Sequence, residues 1–213
     1  MRFDIITIFP GMIEPYMNES IIKRAREKKL VDICVHDLRS FAEGKHSKVD
    51  DRPFGGGPGM VLKAEPLVRA LDSIPKAKKH LIVLFSAGGV QFDAAASTAW
   101  AKKYDQIIMI AGRYEGVDDR IRKVFKIKEI SVGPYVLTGG ELPAMIVVDA
   151  VARHISGVLG KEESLEETRF GVGVPTFTRP DVFEWKGKQY RVPKELLSGD
   201  HKKIDEWRKK HIG

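Results

Sequence analysis

The chain has 213 residues, 43% of them hydrophobic, and a single cysteine: enough apolar material to bury a core, and no internal disulfide. No stretch approaches the roughly 18 to 20 uncharged apolar residues of a membrane helix, and Met1-Arg2-Phe3-Asp4 lacks the apolar centre of a signal peptide. A cytoplasmic globular protein with no membrane partner is expected. The 36 Lys and Arg outnumber the 29 Asp and Glu, giving +7, and ten Lys or Arg against six Asp or Glu place +4 of it in the last 38 residues. Such a surface suits polyanions, although a solubilising coat gives the same balance.

In chain order, Phe3 to Phe9 reads as an opening β-strand stopped by Pro10-Gly11, and a helical pattern follows from Asn18 to Lys29. Val31 to His36 reads as a second strand, in which Cys34 takes a buried place. Leu81 to Phe85 and Gln106 to Ala111 are short continuous apolar runs, as expected of strands buried on both faces, with helical patterns between them. This alternation predicts an α/β fold with a largely parallel sheet, whose ligands bind at the carboxyl ends of the strands. From Pro143 to Leu159 the apolar positions 145, 146, 148, 151, 155 and 158 fall largely on one helical face, with Pro143 in the first turn and Gly160 at the end. Lys161 to Arg169 then carries four glutamates, and Gly171 to Pro175 follows. Residues 1–160 thus read as the main domain, 161–175 as a flexible acidic linker, and 176–213 as a small basic domain with helical pieces at Glu195 to Leu197 and Ile204 to Lys210.

Three glycine-rich segments stand out: Arg52 to Met60 (RPFGGGPGM), Gly112 to Gly116 (GRYEG) and Tyr135 to Pro143 (YVLTGGELP). Glycine permits positive φ and lets backbone groups approach a ligand closely. The first segment lacks the Gly-Lys-Ser/Thr ending of a P-loop, and the second cannot be written as G-x-G-x-x-G, so ATPase and ordinary dinucleotide readings lose their main support. Each segment alone could be a set of turns. Two follow or closely neighbour buried strands and the third opens a helix, where backbone groups can grip a purine and a small zwitterion.

Together with Asp50-Asp51, Thr178-Arg179-Pro180 and Leu197-Ser198-Gly199-Asp200-His201, these segments closely resemble the bacterial tRNA (guanine-N1)-methyltransferase family, TrmD, in the same order and across almost the whole chain. The resemblance implies the SPOUT class: a knotted α/β domain, a homodimer, S-adenosyl-L-methionine as methyl donor, magnesium, and tRNA guanine 37 as the acceptor. It places the donor at Gly112, Tyr114, Glu115, Ser131, Val132, Gly133, Pro134, Tyr135, Val136, Leu137, Gly139, Gly140 and Pro143. Pro134 stands where the family usually has Asp, and Ser86-Ala87-Gly88-Gly89 stands where it has Ser-Pro-Gln-Gly.

Methylating N1 of guanine requires removal of its proton while negative charge builds on O6, which calls for a carboxylate base and a cationic partner. By resemblance Arg153 is the catalytic arginine; four residues after Asp149, it could equally be a surface ion pair. The family's aspartate base falls on Thr168, so the neighbouring Glu167 is taken as the base, against the plainer reading of a solvated linker glutamate. Asp50, Arg52, Arg179, Gly199, His201 and Arg208 match tRNA-side positions or are basic residues of the tail. His46 and His201 are more simply structural. Two alternatives stay open: a SPOUT methyltransferase for another RNA site, and a SPOUT-fold RNA-binding protein with reduced or lost catalysis.

Overall fold

The computed structural model describes residues 1–44, 46–160 and 173–212. The chain divides into two compact units, Met1–Leu159 and Gly160–Gly213. The first is built on strands β1 (Arg2–Thr7), β2 (Asp32–Asp37), β5 (His80–Gln91), β6 (Gln106–Ile110) and β7 (Ile127–Ser131), which form one all-parallel sheet in the order β2-β1-β6-β5-β7. The two-residue strands β3 (Asp50–Asp51) and β4 (Val61–Leu62) pair separately.

Alternate side chains of the central strands enter two cores, one on each face of the sheet. Phe3, Ile5, Val83, Ile107 and Met109 pack with α2 (Ser20–Glu27), α4 (Ala94–Lys103) and α6 (Glu141–Ala152) through Ile22, Trp100, Val147 and Val151. Ile6, Ile82, Leu84, Ile108 and Ile110 lie on the opposite side, covered by Leu67 and Leu71 of α3 (Ala64–Ser73). Each such fully buried side chain contributes about 1.5–3 kcal/mol. The Asp93 carboxylate opens α4 by accepting a hydrogen bond from the Ala96 amide at 2.7 Å. Between α1 (Glu14–Met17) and α6 runs a further tie, the Tyr16 hydroxyl donating to Asp149 at 2.6 Å.

Three sequence expectations change. The strand read as ending at Phe85 continues through Ser86 to Gly89 as part of β5, with a break in its pairing to β7 between Phe85 and Val90. A side chain at Gly89 would lie 2.6 Å from the Ile130 backbone, so glycine here lets two strands pass rather than ending one. The predicted helix from Pro143 to Leu159 stops at Ala152; the amides of His154, Ile155 and Val158 bond three residues back, which keeps Ile155 and Val158 against the core while the helix is lost. Cys34 is half-buried, since β2 is the edge strand of the sheet.

The second unit contains a hairpin that the helical reading of this region passed over, β8 (Val182–Trp185) against β9 (Lys188–Arg191). Lys186 and Gly187 both have positive φ, 51° and 74°, the requirement of a two-residue turn whose twist matches the strands. The short helix α7 (Lys194–Leu197) and α8 (His201–Lys210) follow. Gly199, at φ 70°, turns the chain between them, and the Asp200 carboxylate caps α8 by accepting from the Lys202 and Lys203 amides. Much of the Leu-Ser-Gly-Asp-His motif is thereby a helix connector.

Candidate active site

In an all-parallel sheet the carboxyl ends of the strands share one edge, and the glycine segments converge there. The segment after β6, 112–117, and the segment after β7, 132–140, line a cleft of about 330 Å³ together with Leu84 to Ala87 of β5 and Pro143 of α6. Of the thirteen residues expected to hold the methyl donor, twelve line this cleft; Pro134 is exposed and does not. Arg122 and Glu129, which the sequence did not single out, also line it, and their ion pair holds the Glu129 carboxyl below its ordinary range. Arg122 lies in the one-turn helix α5 (Ile121–Val124) and Glu129 on β7, and only their alternation with apolar neighbours could have drawn attention to them.

Backbone contacts stitch the walls together. The Gly140 amide donates to the Gly112 carbonyl at 2.9 Å, and Arg113 bridges to Gly139. A Cβ on Gly140 would meet Ala111 Cα at 2.6 Å, so only glycine allows the segment from β7 to pass this close to the end of β6. The Ser131 hydroxyl donates to the Gly133 carbonyl at 2.7 Å, and the Tyr135 amide donates to the same carbonyl at 2.9 Å. Among the described residues, the amides of Val136, Leu137 and Thr138 meet no backbone acceptor. Those donors, beside the Leu137 and Tyr135 side chains, suit the polar edge and flat apolar face of a purine.

Behind the cleft lies a buried polar network. The Thr7 hydroxyl donates to Glu141 at 2.7 Å, and Arg113 Nε stands 2.9 Å from the other Glu141 oxygen as an ion pair without the angle of a hydrogen bond. The Arg113 guanidinium lies 4.8 Å from the centre of the Phe9 ring and donates to the Thr138 carbonyl. It therefore ties both cleft segments to the end of β1.

The Arg52 to Met60 segment docks on the same edge. The Glu115 amide donates to the Met60 carbonyl and the Leu62 amide to the Gly116 carbonyl, both at 3.0 Å. Four glycines of this segment, 55, 56, 57 and 59, have positive φ, and Phe54 is fully exposed. Tyr114 joins the two regions: burial first, then the charge and hydrogen bond of Asp50, push its phenol up from the ordinary value. Asp50, expected on the tRNA side, thus meets a residue expected to hold the donor, while Arg52 is exposed nearby in sequence.

The remaining candidates belong to other elements. Arg153 terminates α6, about 15 Å along the helix from Pro143. Glu167, with Glu166 and Thr168, falls outside the described residues, as does nearly all of the predicted linker. Arg179, Gly199, His201 and Arg208 belong to the second unit, with His201 exposed at the start of α8 and Arg208 paired to Asp205 at 3.5 Å. His46 is exposed and does not line the cleft. Among the described residues no group of three His, Cys, Asp or Glu side chains is placed to hold a metal ion, and no helix is long and apolar enough to cross a membrane.

The fold and cleft define a parallel α/β domain with a cleft at the carboxyl edge of its sheet, joined in sequence to a small basic unit. The family model described as tRNA (Guanine-1)-methyltransferase TrmD matches residues 1–212. The tRNA (guanine-N(1)-)-methyltransferase of Moorella thermoacetica is 46% identical over 98% of this chain and 84% of its own length, and that of Dictyoglomus turgidum is 46% identical over 99% and 84%. The relative in Thermomicrobium roseum, of the same name, is 44% identical over 98% and 78%. The chain belongs to the TrmD family of tRNA (guanine-1)-methyltransferases.

Proposed function

We propose that this chain transfers the methyl group of S-adenosyl-L-methionine to N1 of guanine 37, beside the anticodon of tRNA, working in the cytoplasm as a homodimer with a knotted donor site. The observation that carries this reading is the convergence of the 112–117 and 132–140 segments on one cleft at the carboxyl edge of the sheet. The donor supplies an activated methyl group on a sulfonium. The chain's own residues bind and orient it: Val136 to Thr138 offer amides to adenine, Leu137 and Tyr135 wall the ring, and the Arg113 and Glu141 pair keeps those segments in register.

On the acceptor side, Glu167 takes the N1 proton while the Arg153 guanidinium offsets charge developing on O6. Within one chain Arg153 is remote from the cleft wall at Pro143. A second copy provides the remedy. Leu142 and Ile146 are 51% and 43% exposed on α6, in line with Arg153 at helical spacing, and Met12 and Tyr16 are also exposed. Pairing two copies through α6 covers these apolar groups and carries Arg153 toward the partner's cleft. Magnesium belongs to the same proposal, with the linker glutamates as its carboxylates. A tRNA-binding protein without turnover is the second reading, favoured by Thr168 at the position of the family's aspartate.

Calorimetry with S-adenosyl-L-methionine, alongside light scattering, tests the cleft and the pairing. Stoichiometric donor binding by a dimer, with binding retained and methyl transfer lost in Arg153→Ala, is the expected result. Absence of donor binding contradicts the assignment of the cleft.

A further inference from the structure

The hairpin of the second unit carries an aromatic face that the donor cleft does not use. In its register Phe183 stands opposite Tyr190 and Trp185 opposite Lys188, so these four side chains share one face of the ribbon. Phe183 and Tyr190 stack with their centroids 5.1 Å apart and their planes 13° apart. The Lys188 ammonium lies 5.6 Å from the Tyr190 ring centre, and Lys186 lies 5.9 Å from that of Trp185. Trp185 is 63% exposed, Phe183 56% and Tyr190 41%.

A two-stranded ribbon that exposes three large rings is unusual, because such hairpins are marginal in water without something covering a face. Among the described residues of this unit, 173–212, none is fully buried, so they give these rings little cover. The local charge identifies the occupant. Between Arg179 and Lys194 five Lys or Arg face two carboxylates. Aromatic planes flanked by ammonium groups suit unstacked bases joined by phosphates, and they suit a protein surface or an anionic double helix less well.

We propose that the Phe183, Trp185 and Tyr190 face is a stacking platform for unpaired bases of the substrate tRNA, with Lys186 and Lys188 contacting the adjoining phosphates. The inference rests on the proposed reaction with tRNA. It adds that this unit grips single-stranded loop nucleotides through ring faces, beyond a general attraction of basic residues for the backbone. Trp185 offers the largest free plane, and the Phe183 and Tyr190 pair extends as a stack that a base can continue.

The test is fluorescence anisotropy of the full-length dimer with a labelled tRNA transcript carrying G37, at several salt concentrations. Trp185→Ala is expected to weaken binding about tenfold with an unchanged salt slope, Trp185→Phe to stay near wild type, and Lys188→Ala to lower the slope by about one. Donor affinity, measured by calorimetry, reports that the alanine variants are folded. Unchanged tRNA affinity in both Trp185→Ala and the Phe183→Ala/Tyr190→Ala double variant overturns the platform. Dissociation of the dimer by these substitutions, with tRNA affinity per subunit intact, also overturns it and assigns the face to a protein contact. Failure of the wild type to bind tRNA at all rejects the functional reading, and the platform with it.

Discussion

At Gly140 a single hydrogen atom in place of a side chain decides whether the cleft closes. A Cβ added there would stand 2.6 Å from Ala111 Cα and 2.9 Å from the Gly112 nitrogen, backbone atoms that cannot yield without strain. Gly140→Ala is expected to cost about 1–3 kcal/mol through overpacking and to weaken donor binding at least tenfold by calorimetry. Gly160→Ala, which meets nothing within 4 Å, is the control and should leave donor affinity unchanged. At Asp4 charge rather than space is decisive. It is fully buried on β1, where burial alone would raise its pKa, yet hydrogen bonds from His36, Arg2 and Gln106 outweigh that and hold it at about 2. A carboxyl depressed in the folded state stabilises at pH above its unfolded value near 3.8 and loses that contribution as pH falls through about 2. The contribution is about 2 kcal/mol. Urea unfolding at pH 6 and pH 3 should show a loss of stability that Asp4→Asn reduces by about 1 kcal/mol; the same pH dependence in the variant would assign it to other groups.

At the scale of elements, α6 joins a wall of the cleft at Pro143 to Arg153, the arginine of the proposed reaction. Apart from Glu141 and Asp149 its sequence is apolar on both sides: Val147, Val148 and Val151 are buried under the sheet while Leu142 and Ile146 face outward. Ile146→Glu places a charge on the outward stripe and is expected to shift the protein from dimer to monomer by light scattering, with methyl transfer falling at least tenfold. A dimer that survives this change would place the interface elsewhere. The same helix shows how far sequence reading reaches. Its start was legible because Pro143 fits a first turn, but its end was not, because Ile155 and Val158 keep an apolar rhythm through turns that bond three residues back. The hairpin was missed for a related reason. Lys186-Gly187 is a weaker turn signal than Asn-Gly, and the strands beside it bury too little for their alternation to stand out.

At the scale of the molecule, the parallel sheet was legible because Leu81 to Phe85 of β5 and the run beginning at Gln106 in β6 are continuous apolar stretches, and the cleft because glycine clusters follow strands in such a fold. The strand order was beyond the sequence, since it depends on long-range pairing such as β1 between β2 and β6. So was the role of Glu141, whose burial against Thr7 and Arg113 brings together residues 134 and 28 positions away in the chain. Arg153 was recognisable by resemblance, while its distance from the cleft within one chain emerges only from the length of α6. The most direct test is transfer of labelled methyl from S-adenosyl-L-methionine to tRNA transcripts differing only in G or A at position 37, with wild type, Arg153→Ala and Glu167→Gln side by side. Transfer confined to the G37 transcript, recovered as N1-methylguanosine and lost in both variants, is the predicted result. Donor binding without transfer to any tRNA would contradict it and leave a binding protein.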